Sequence, residues 1–280
     1  KDIELSWIVE NMVGKNTQYH RFQRTIDLTK HPKILEVKNL RLPKKGGGWL
    51  LDNVSLDLKK GEVLGIYGLL GAGRSELFEC LMGLHPEHTG EIIYEGKPLK
   101  VKDVATQIKN GFALVPEDRQ SQGLIQTLDI GKNTSISSLK DYVKGLFLNE
   151  KAEDAAVDEQ IKDIHIKVAD KRLPILSLSG GNQQKVVIGK GLLTKPKILL
   201  LDEPSRGIDI GAKTEVFEII HDLSEKGLSI IVISSELKEI MAIADRICVL
   251  SNGKKTGELI GNEITEDTLV RTSYAGLGTG

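Results

Sequence analysis

The chain of 280 residues is poor in cysteine, in net charge and in long apolar runs. Its two cysteines, Cys80 and Cys248, fall in a helix-like and a strand-like run, so we expect buried, inert thiols rather than a disulfide framework. The net charge of -1 gives no electrostatic reason to expect a nucleic acid as a partner. The first residues are polar, unlike a secretory signal, and no apolar run approaches the roughly 20 residues that cross a bilayer. Any membrane role is therefore expected to come through a partner.

Regular strand and helix patterns occupy residues 34 to about 262, which we predict to be one folded domain. Residues 1–33 differ: Trp7–Gly14 has the pattern of a helix that ends at a glycine, and a polar stretch without a clear period follows. They are either a loose extension or the tail of a preceding domain with its linker, and we favour the second interpretation. Residues 263–280 are predicted to be a C-terminal tail with one short helix from Thr265.

Short apolar strands alternate with amphipathic helices over most of this domain. The predicted strands of the main sheet are residues 62–67, 112–115, 198–202, 228–233 and 246–250, and the predicted helices are 75–82, 210–224 and 236–244. This alternation predicts an α/β fold with a buried, mostly parallel sheet that helices cover on both faces. Residues 124 to about 175 are expected to be mainly helical, with the clearest helix over Glu150–Ile166.

A glycine-rich loop, Gly68–Ser75, follows the first predicted strand and opens a helix. Its glycines and serine have the spacing of a P-loop, and one position carries an arginine where the P-loop pattern has lysine. Backbone N–H groups at a helix N-terminus favour an anion, and glycines let a phosphate approach closely; the alternative is a turn without a ligand. The Ser75 hydroxyl would bind Mg²⁺. The predicted nucleotide-binding residues of the loop are Gly68, Gly71, Ala72, Gly73, Arg74 and Ser75.

Arg74 stands where a P-loop normally has lysine. Arginine keeps the positive charge but presents a wide planar fork in place of a compact point charge. One charge-assisted contact contributes on the order of 1.5–3 kcal/mol, so a poor replacement would weaken nucleotide binding by about tenfold or more without abolishing it.

A pair of acids ends the apolar strand Ile198–Asp202. Asp202 is predicted to hold Mg²⁺, and the adjacent Glu203 to polarise the attacking water. Paired acids at a strand end can instead cap the next helix. Their place after a buried strand and downstream of the glycine loop favours the catalytic interpretation.

The third motif, Leu178–Lys185, reads Leu-Ser-Gly-Gly-Asn-Gln-Gln-Lys and begins a helix that is predicted to run to Leu193. Ser179 is a good helix N-cap, and Gly180 and Gly181 leave the first N–H groups accessible. A simple capped helix is the alternative.

Along the chain the order is the glycine loop Gly68–Ser75, the motif Leu178–Lys185 and then the acid pair Asp202–Glu203. In this order the three motifs resemble those of the nucleotide-binding domain of an ABC ATPase. The resemblance implies an α/β P-loop NTPase core, an antiparallel β layer over about Ile34–Tyr94 and a helical subdomain over about 124–175. It also implies that Ser179, Gly180 and Gly181 contact the γ-phosphate held by the P-loop of a partner domain, so that each site is shared between two domains.

Three positions of the chain's own phosphate site depart from the family pattern. Arg74 replaces the lysine, Glu117 replaces a glutamine after the strand that ends at Val115, and Ser235 replaces a histidine after the strand that ends at Ile233. Glu203 is intact, and so is the motif Leu178–Lys185, which resembles the family's signature motif. The resemblance therefore implies a weak or slow local site and a signature face that serves a partner's site.

This combination is similar to the C-terminal half of the two-domain ATPase subunit of bacterial monosaccharide importers, of the ribose and galactose type. That likeness implies ATP and Mg²⁺ as ligands, and hydrolysis of ATP to ADP and phosphate by the full protein to drive sugar uptake. We expect low activity of this fragment alone, with Glu203 as the candidate general base.

The implied partners are the N-terminal nucleotide-binding domain of the same protein or a second copy, membrane permease subunits and, indirectly, a sugar-binding protein. The implied location is the cytoplasmic face of the membrane. Two alternatives stay open: a regulatory module that binds ATP without hydrolysing it, and a soluble ABC ATPase of translation or DNA repair. The latter would be expected to carry a basic surface or a long coiled coil, and neither pattern is present.

Overall fold

The computed structural model describes residues 21–22, 24–25, 27–145 and 147–275. The predicted helix Trp7–Gly14 and the last five residues lie outside these ranges. The strands are β1 Lys33–Pro43, β2 Trp49–Lys59, β3 Val63–Gly68, β4 Thr89–Tyr94, β5 Lys97–Pro98, β6 Phe112–Val115, β7 Val143–Lys144, β8 Phe147–Leu148, β9 Ile198–Asp202, β10 Ser229–Ile233, β11 Arg246–Ser251 and β12 Lys254–Ile260. The α-helices are α1 Arg74–Met82, α2 Val104–Lys109, α3 Ile130–Ser135, α4 Glu150–Asp163, α5 Gly180–Leu192, α6 Ile210–Glu225, α7 Leu237–Ile243 and α8 Glu266–Tyr274.

A six-stranded sheet forms the centre of the fold, in the order β12-β11-β3-β10-β9-β6. Neighbouring strands run parallel except for β12, which pairs antiparallel with β11 at one edge. Every residue of β3, β9 and β10 is buried, which explains why these strands are continuous apolar runs in the sequence. The predicted α/β class is confirmed, and the sequence pattern did not single out the antiparallel edge strand.

A second sheet lies against one face of the first. It has the order β2-β1-β4-β5, is antiparallel throughout, and its long strands alternate between buried and exposed positions. Its apolar side, helix α1 and the facing side of the six-stranded sheet share one core that includes Leu35, Phe78 and Ile231. Helices α5 to α8 cover the opposite face through a second core that includes Phe217 and Leu269.

The region between β6 and α5 is mostly helical. It contains α3, a 3-10 helix over Ile136–Tyr142, and α4, interrupted by the short hairpin β7–β8, which the sequence pattern did not predict. Helix α4 ends at Asp163 and not at Ile166, because His165 takes a left-handed conformation with φ of 53°. The Lys185 ammonium holds this turn by donating to the His165 carbonyl at 2.9 Å.

Both ends of the described chain pack on the domain. The Arg24 guanidinium bonds the Asp245 carboxylate at 2.7 and 2.8 Å, Glu225 at 2.9 Å and the Gly61 carbonyl at 2.6 Å. Phe22 stacks on His221 with ring centroids 4.9 Å apart. At the other end, Leu269 in α8 is fully buried. The packed unit thus reaches beyond residues 34–262 on both sides.

Candidate functional site

The glycine loop joins β3 to α1 with two left-handed glycines. Gly71 has φ of 78° and Gly73, the N-cap of α1, has φ of 92°, both conformations that a side chain disfavours. A Cβ on Gly73 would lie 2.8 Å from the Leu50 carbonyl oxygen, and one on Gly68 would lie 2.4 Å from the Leu250 carbonyl oxygen. Helix α1 therefore starts at Arg74 with its first N–H groups directed at the loop, the geometry that suits a phosphate.

Arg74 is bound to the candidate general base. Its Nη1 lies 3.2 Å from Glu203 Oε1, and the two side chains are only 11% and 9% exposed. Glu203 itself has φ of 46°, a strained conformation for a side-chain-bearing residue and one that is common at functional sites. The arginine thus directs its charge at the carboxylate that would have to activate water.

Asp202 and Ser75 form the part of the site that suits a cation. Both line a cavity of about 400 Å³ beside α1, together with Glu117. Burial raises the pKa of Asp202 to about 6; the Glu203 charge adds to the rise, and the Ser75 hydroxyl and Arg74 oppose it. Asp202 Oδ1 is buried without a hydrogen-bond partner in the described part of the chain. A buried, unpaired carboxylate oxygen next to a hydroxyl is a donor set that fits Mg²⁺.

Glu117 leaves β6 through Pro116 and pairs with a residue that the sequence pattern did not single out. Its carboxylate forms an ion pair with the Arg206 guanidinium, in the loop that follows the acid pair Asp202–Glu203. This pair joins the position of the expected glutamine to the loop Ser205–Asp209. Asp209 in turn caps α6 by accepting from Ala212 N at 2.9 Å.

The signature motif presents its first residue to solvent. Ser179 is exposed and caps α5, its Oγ accepting from the Asn182 amide nitrogens at 3.1 and 3.4 Å. A Cβ on Gly181 would lie 2.3 Å from Ala212 Cβ, so this glycine lets α5 approach α6 closely. Gly180 is half-buried, and Lys185 at the far end of the motif is buried and paired with Glu215 at 2.6 Å. The helix start therefore faces outward while its body is anchored in the domain.

A buried acid lies behind the two loops that follow the parallel strands. Glu239, 1% exposed, accepts from Lys213 at 2.7 Å, from Ser234 at 3.3 Å and from Ser205. Burial raises the pKa of Glu239. Ser235, next to Ser234, is exposed. This network ties the loop after β9 to the loop after β10, and the sequence carried no local signal for it.

The predicted site residues fall into two groups in space. Ser75, Glu117 and Asp202 line one cavity, and Arg74 and Glu203 contact each other, whereas Ser179–Gly181 do not line that cavity. The residues missed from the sequence are Arg119 and Arg206, whose partners lie almost 90 positions away along the chain. The opposite charges of Glu117 and Arg206 in two loops after parallel strands were the one available signal.

Comparison with known proteins shows the family of the chain. The model of the ABC transporter family matches residues 51–206. The chain is 39% identical over 281 residues to a xylose import ATP-binding protein of Pseudomonas savastanoi pv. phaseolicola, covering 98% of this chain and 53% of that protein. It is 39% identical over 269 residues to a ribose import ATP-binding protein of Rhodopirellula baltica, covering 95% and 52%. The chain spans about half the length of these curated relatives.

Solved structures share the fold at lower identity. A nucleotide-free ATP-binding cassette from an ABC transporter aligns with a TM-score of 0.74 at 24% identity, covering 85% of this chain and 96% of that one. A dimeric cassette in a post-hydrolysis state with ADP and phosphate aligns with a TM-score of 0.69 at 24% identity, covering 81% and 98%. The resemblance inferred from the motifs is confirmed, and the chain belongs to the ABC transporter family.

Proposed function

We propose that this chain is the half of a sugar-importer ATPase that supplies an intact signature to a phosphate site held by a partner domain. One observation carries the proposal: Ser179 is exposed at the start of a firmly anchored helix, while Arg74 of the chain's own loop is paired with Glu203. The signature face is free to act on another domain, and the local site is altered. Both features belong to one domain, so the two sites of a pair are unequal when the partner is a different domain.

In the local site, the loop Gly68–Ser75 would bind the phosphates of ATP, and Ser75 and Asp202 would hold Mg²⁺. That ion would neutralise charge on the β- and γ-phosphates. Glu203 would polarise the attacking water, but its carboxylate must first separate from Arg74. Glu117 and Ser235 stand in place of the glutamine and histidine of the family pattern. We therefore infer slow or absent hydrolysis at this site.

The composite site needs a second domain. The matched relatives are about twice as long as this chain and are named for xylose or ribose import. We infer that the partner is an N-terminal nucleotide-binding domain of the same protein, or else a second copy, and that the full protein hydrolyses ATP to drive sugar uptake. Ser179, Gly180 and Gly181 would stabilise the γ-phosphate of ATP bound to the partner.

The remaining assembly follows from this role. We propose that the domain docks on membrane permease subunits at the cytoplasmic face, with a sugar-binding protein as an indirect partner and no nucleic acid. In the described part of the chain no helix is long and apolar enough to cross a membrane. Attachment would therefore come through the permease contact.

A second candidate is a regulatory domain that binds ATP without hydrolysing it or supporting hydrolysis elsewhere. The Arg74–Glu203 pair favours it for the local site, because a carboxylate engaged with a guanidinium is a poor base. The two candidates differ in whether Ser179 supports turnover at another site.

Replacement of Ser179 by arginine in the full-length protein separates these candidates. The change fills the outward face of the helix start with a bulky cation, and we expect steady-state ATP hydrolysis to fall by at least about a hundredfold, as for loss of a group that contacts transition-state charge. Turnover is measured as phosphate release with the permease and binding protein present.

Asn262→Arg is the matched control, since it adds the same side chain on an exposed turn away from the helix start. It should leave turnover within about twofold, as expected for a surface substitution. Unchanged turnover in S179R would refute the signature role and leave the regulatory function standing.

A further inference from the structure

The turn Glu117–Gln120 lies between the loop after β9 and the start of the signature helix. It follows β6 and begins the π-helical turn Arg119–Gly123, which Asp118 caps by accepting from the Gln120 and Ser121 amides at 3.0 and 3.2 Å. We call residues 117–120 the bridging turn. Its side chains reach two elements that are distant in sequence.

Arg119 is the centre of the bridging turn. Its Nη1 donates to the Arg206 carbonyl at 2.7 Å and its Nη2 to the Gly207 carbonyl at 2.9 Å. A Cβ built on Gly180 would lie 3.0 Å from the same Nη2 and 3.3 Å from the Gly207 carbonyl oxygen. The guanidinium is thus packed between the loop Ser205–Asp209 and the first turn of α5. A side chain at position 180 would therefore have to displace the guanidinium by a few tenths of an ångström.

Two further contacts join the bridging turn to the loop after β9 and to α5. The Glu117 carboxylate pairs with the Arg206 side chain, and Gln120 Nε2 donates to Gln183 Oε1 at 2.5 Å in the signature helix. The loop after β9 is therefore held through both its backbone and its side chain. The signature helix is held one turn below Ser179.

We propose that Arg119 and the Glu117–Arg206 pair are positioning residues that fix the start of the signature helix against the loop Ser205–Asp209. The inference rests on the proposed function, because it assigns these residues to the signature that serves the partner's site. The role proposed for them involves no contact with the partner's phosphate. They act through Ser179 and Gly180, whose amides must point outward from the domain.

The chemistry of the contacts explains why arginine is needed. Two adjacent carbonyls of one loop are bound by the two ends of a planar fork, a geometry that a lysine does not reproduce. The Arg119 Nε is buried and meets no hydrogen-bond partner among the residues that the structure describes. Gly207, with φ of 68°, gives the loop a left-handed bend that the guanidinium holds in place. Without the fork, both the bend and the neighbouring helix start lose their support.

The Glu117–Arg206 pair also gives a reason for glutamate where the family pattern has glutamine. A glutamate that served the chain's own nucleotide would be expected to tolerate glutamine. Replacing a glutamate that holds Arg206 by glutamine removes a charge-assisted contact. Only a compensating change at Arg206 would restore that contact.

The experiment measures ATP turnover by the full-length protein with its permease for R119M, E117R, R206E and the double variant E117R/R206E. Correctly placed signature amides would stabilise the transition state, so R119M should lower kcat roughly tenfold with KM for ATP within about twofold. The side chains of Arg206 and Glu117 are 65% and 40% exposed, so R206E and E117R should lower kcat less, by about three- to fivefold. The charge-swapped double variant should recover at least about half of the lost activity, since it re-forms the pair in the opposite sense.

The controls separate folding from positioning. Arg271 pairs with Asp267 on an exposed helix face, so R271E is a matched charge change that should leave kcat and KM unaltered. R119K, which keeps the charge without the fork, should lower kcat nearly as much as R119M. Each variant is compared by circular dichroism and thermal unfolding, and equal unfolding with lowered kcat supports a positioning role.

The outcomes distinguish this inference from the proposed function. If S179R abolishes turnover while R119M, E117R and R206E keep kcat within twofold of the parent protein, the positioning role is overturned and the signature function stands. A double variant no better than the worse single variant would overturn the role of the ion pair. Unchanged turnover in S179R would instead overturn the proposed function itself.

Discussion

Replacing Asp202 with asparagine tests the electrostatics of the proposed phosphate site without any partner domain. The carboxyl group is buried, its pKa is raised by that burial to about 6 from an ordinary value of 3.8, and one of its oxygens has no hydrogen-bond partner among the described residues. At neutral pH in the absence of Mg²⁺ the charged form is therefore destabilising. Asparagine keeps the shape and removes the charge.

The size of the effect follows from the pKa difference. A shift of about two pH units corresponds to about 3 kcal/mol. Since the folded protein binds the Asp202 proton more tightly than the unfolded chain, stability falls as the pH rises from about 4 to about 6 and stays lowered above that range. The D202N variant escapes this loss, so it should exceed the parent in unfolding free energy by about 2–3 kcal/mol at pH 8 and by about 1 kcal/mol at pH 4.5.

Urea unfolding at pH 4.5 and pH 8 in Mg²⁺-free buffer measures both values. Asp170→Asn serves as the control, because the bonds that Asp170 accepts from Arg172 lower its pKa and its neutralisation should give no gain at pH 8. Added MgATP should stabilise the parent protein more than D202N if Asp202 holds the ion. A D202N variant that is no more stable than the parent at pH 8, or equally stabilised at both pH values, would refute the account of a buried unpaired carboxylate.

Two further predictions concern packing. The Arg24→Met variant loses charge-assisted bonds to Asp245 and Glu225 and should lower the unfolding free energy by about 2 kcal/mol in urea unfolding, whereas Lys30→Met at an 85% exposed position should change it by less than about 0.5 kcal/mol. The Gly181→Ala variant places a Cβ 2.3 Å from Ala212 and should cost about 1–3 kcal/mol in the same assay, and equal stability would refute the close approach of α5 and α6. Gly131→Ala, whose new Cβ would have its nearest neighbours at 3.5 Å, is its control and should be neutral or slightly stabilising.

Local signals in the sequence predicted the central sheet well. The buried strands Phe112–Val115 and Ile198–Asp202 were predicted with the bounds that the structure shows, because a continuous apolar run between turns has few other interpretations. The hairpin Val143–Leu148 was missed, since two-residue strands leave almost no periodic pattern. Helix α4 was predicted three residues too long because the left-handed turn at His165 has no sequence signature of its own.

The sequence indicated individual residues of the candidate site but not the contacts between them. The motifs named Arg74 and Glu203 separately, but only the three-dimensional arrangement brings their charges within 3.2 Å. The sequence pattern assigns no role to Arg119, because its acceptors are backbone carbonyls almost 90 residues away. Contacts from a side chain to a distant backbone leave no trace in residue types, and for that reason they required the structure.

Helix α6 joins two features that were described separately. Its first residue follows Asp209 and the loop that Arg119 grips, and its last turn carries Ser224 and Glu225, which bond Arg24. Sixteen helical residues form a rod about 24 Å long. A force applied at Arg24 that leaves those bonds intact is transmitted along this helix to the loop Ser205–Asp209 at its other end. The helix thus couples the contacts of Arg24 mechanically to the loop beside the motif Leu178–Lys185.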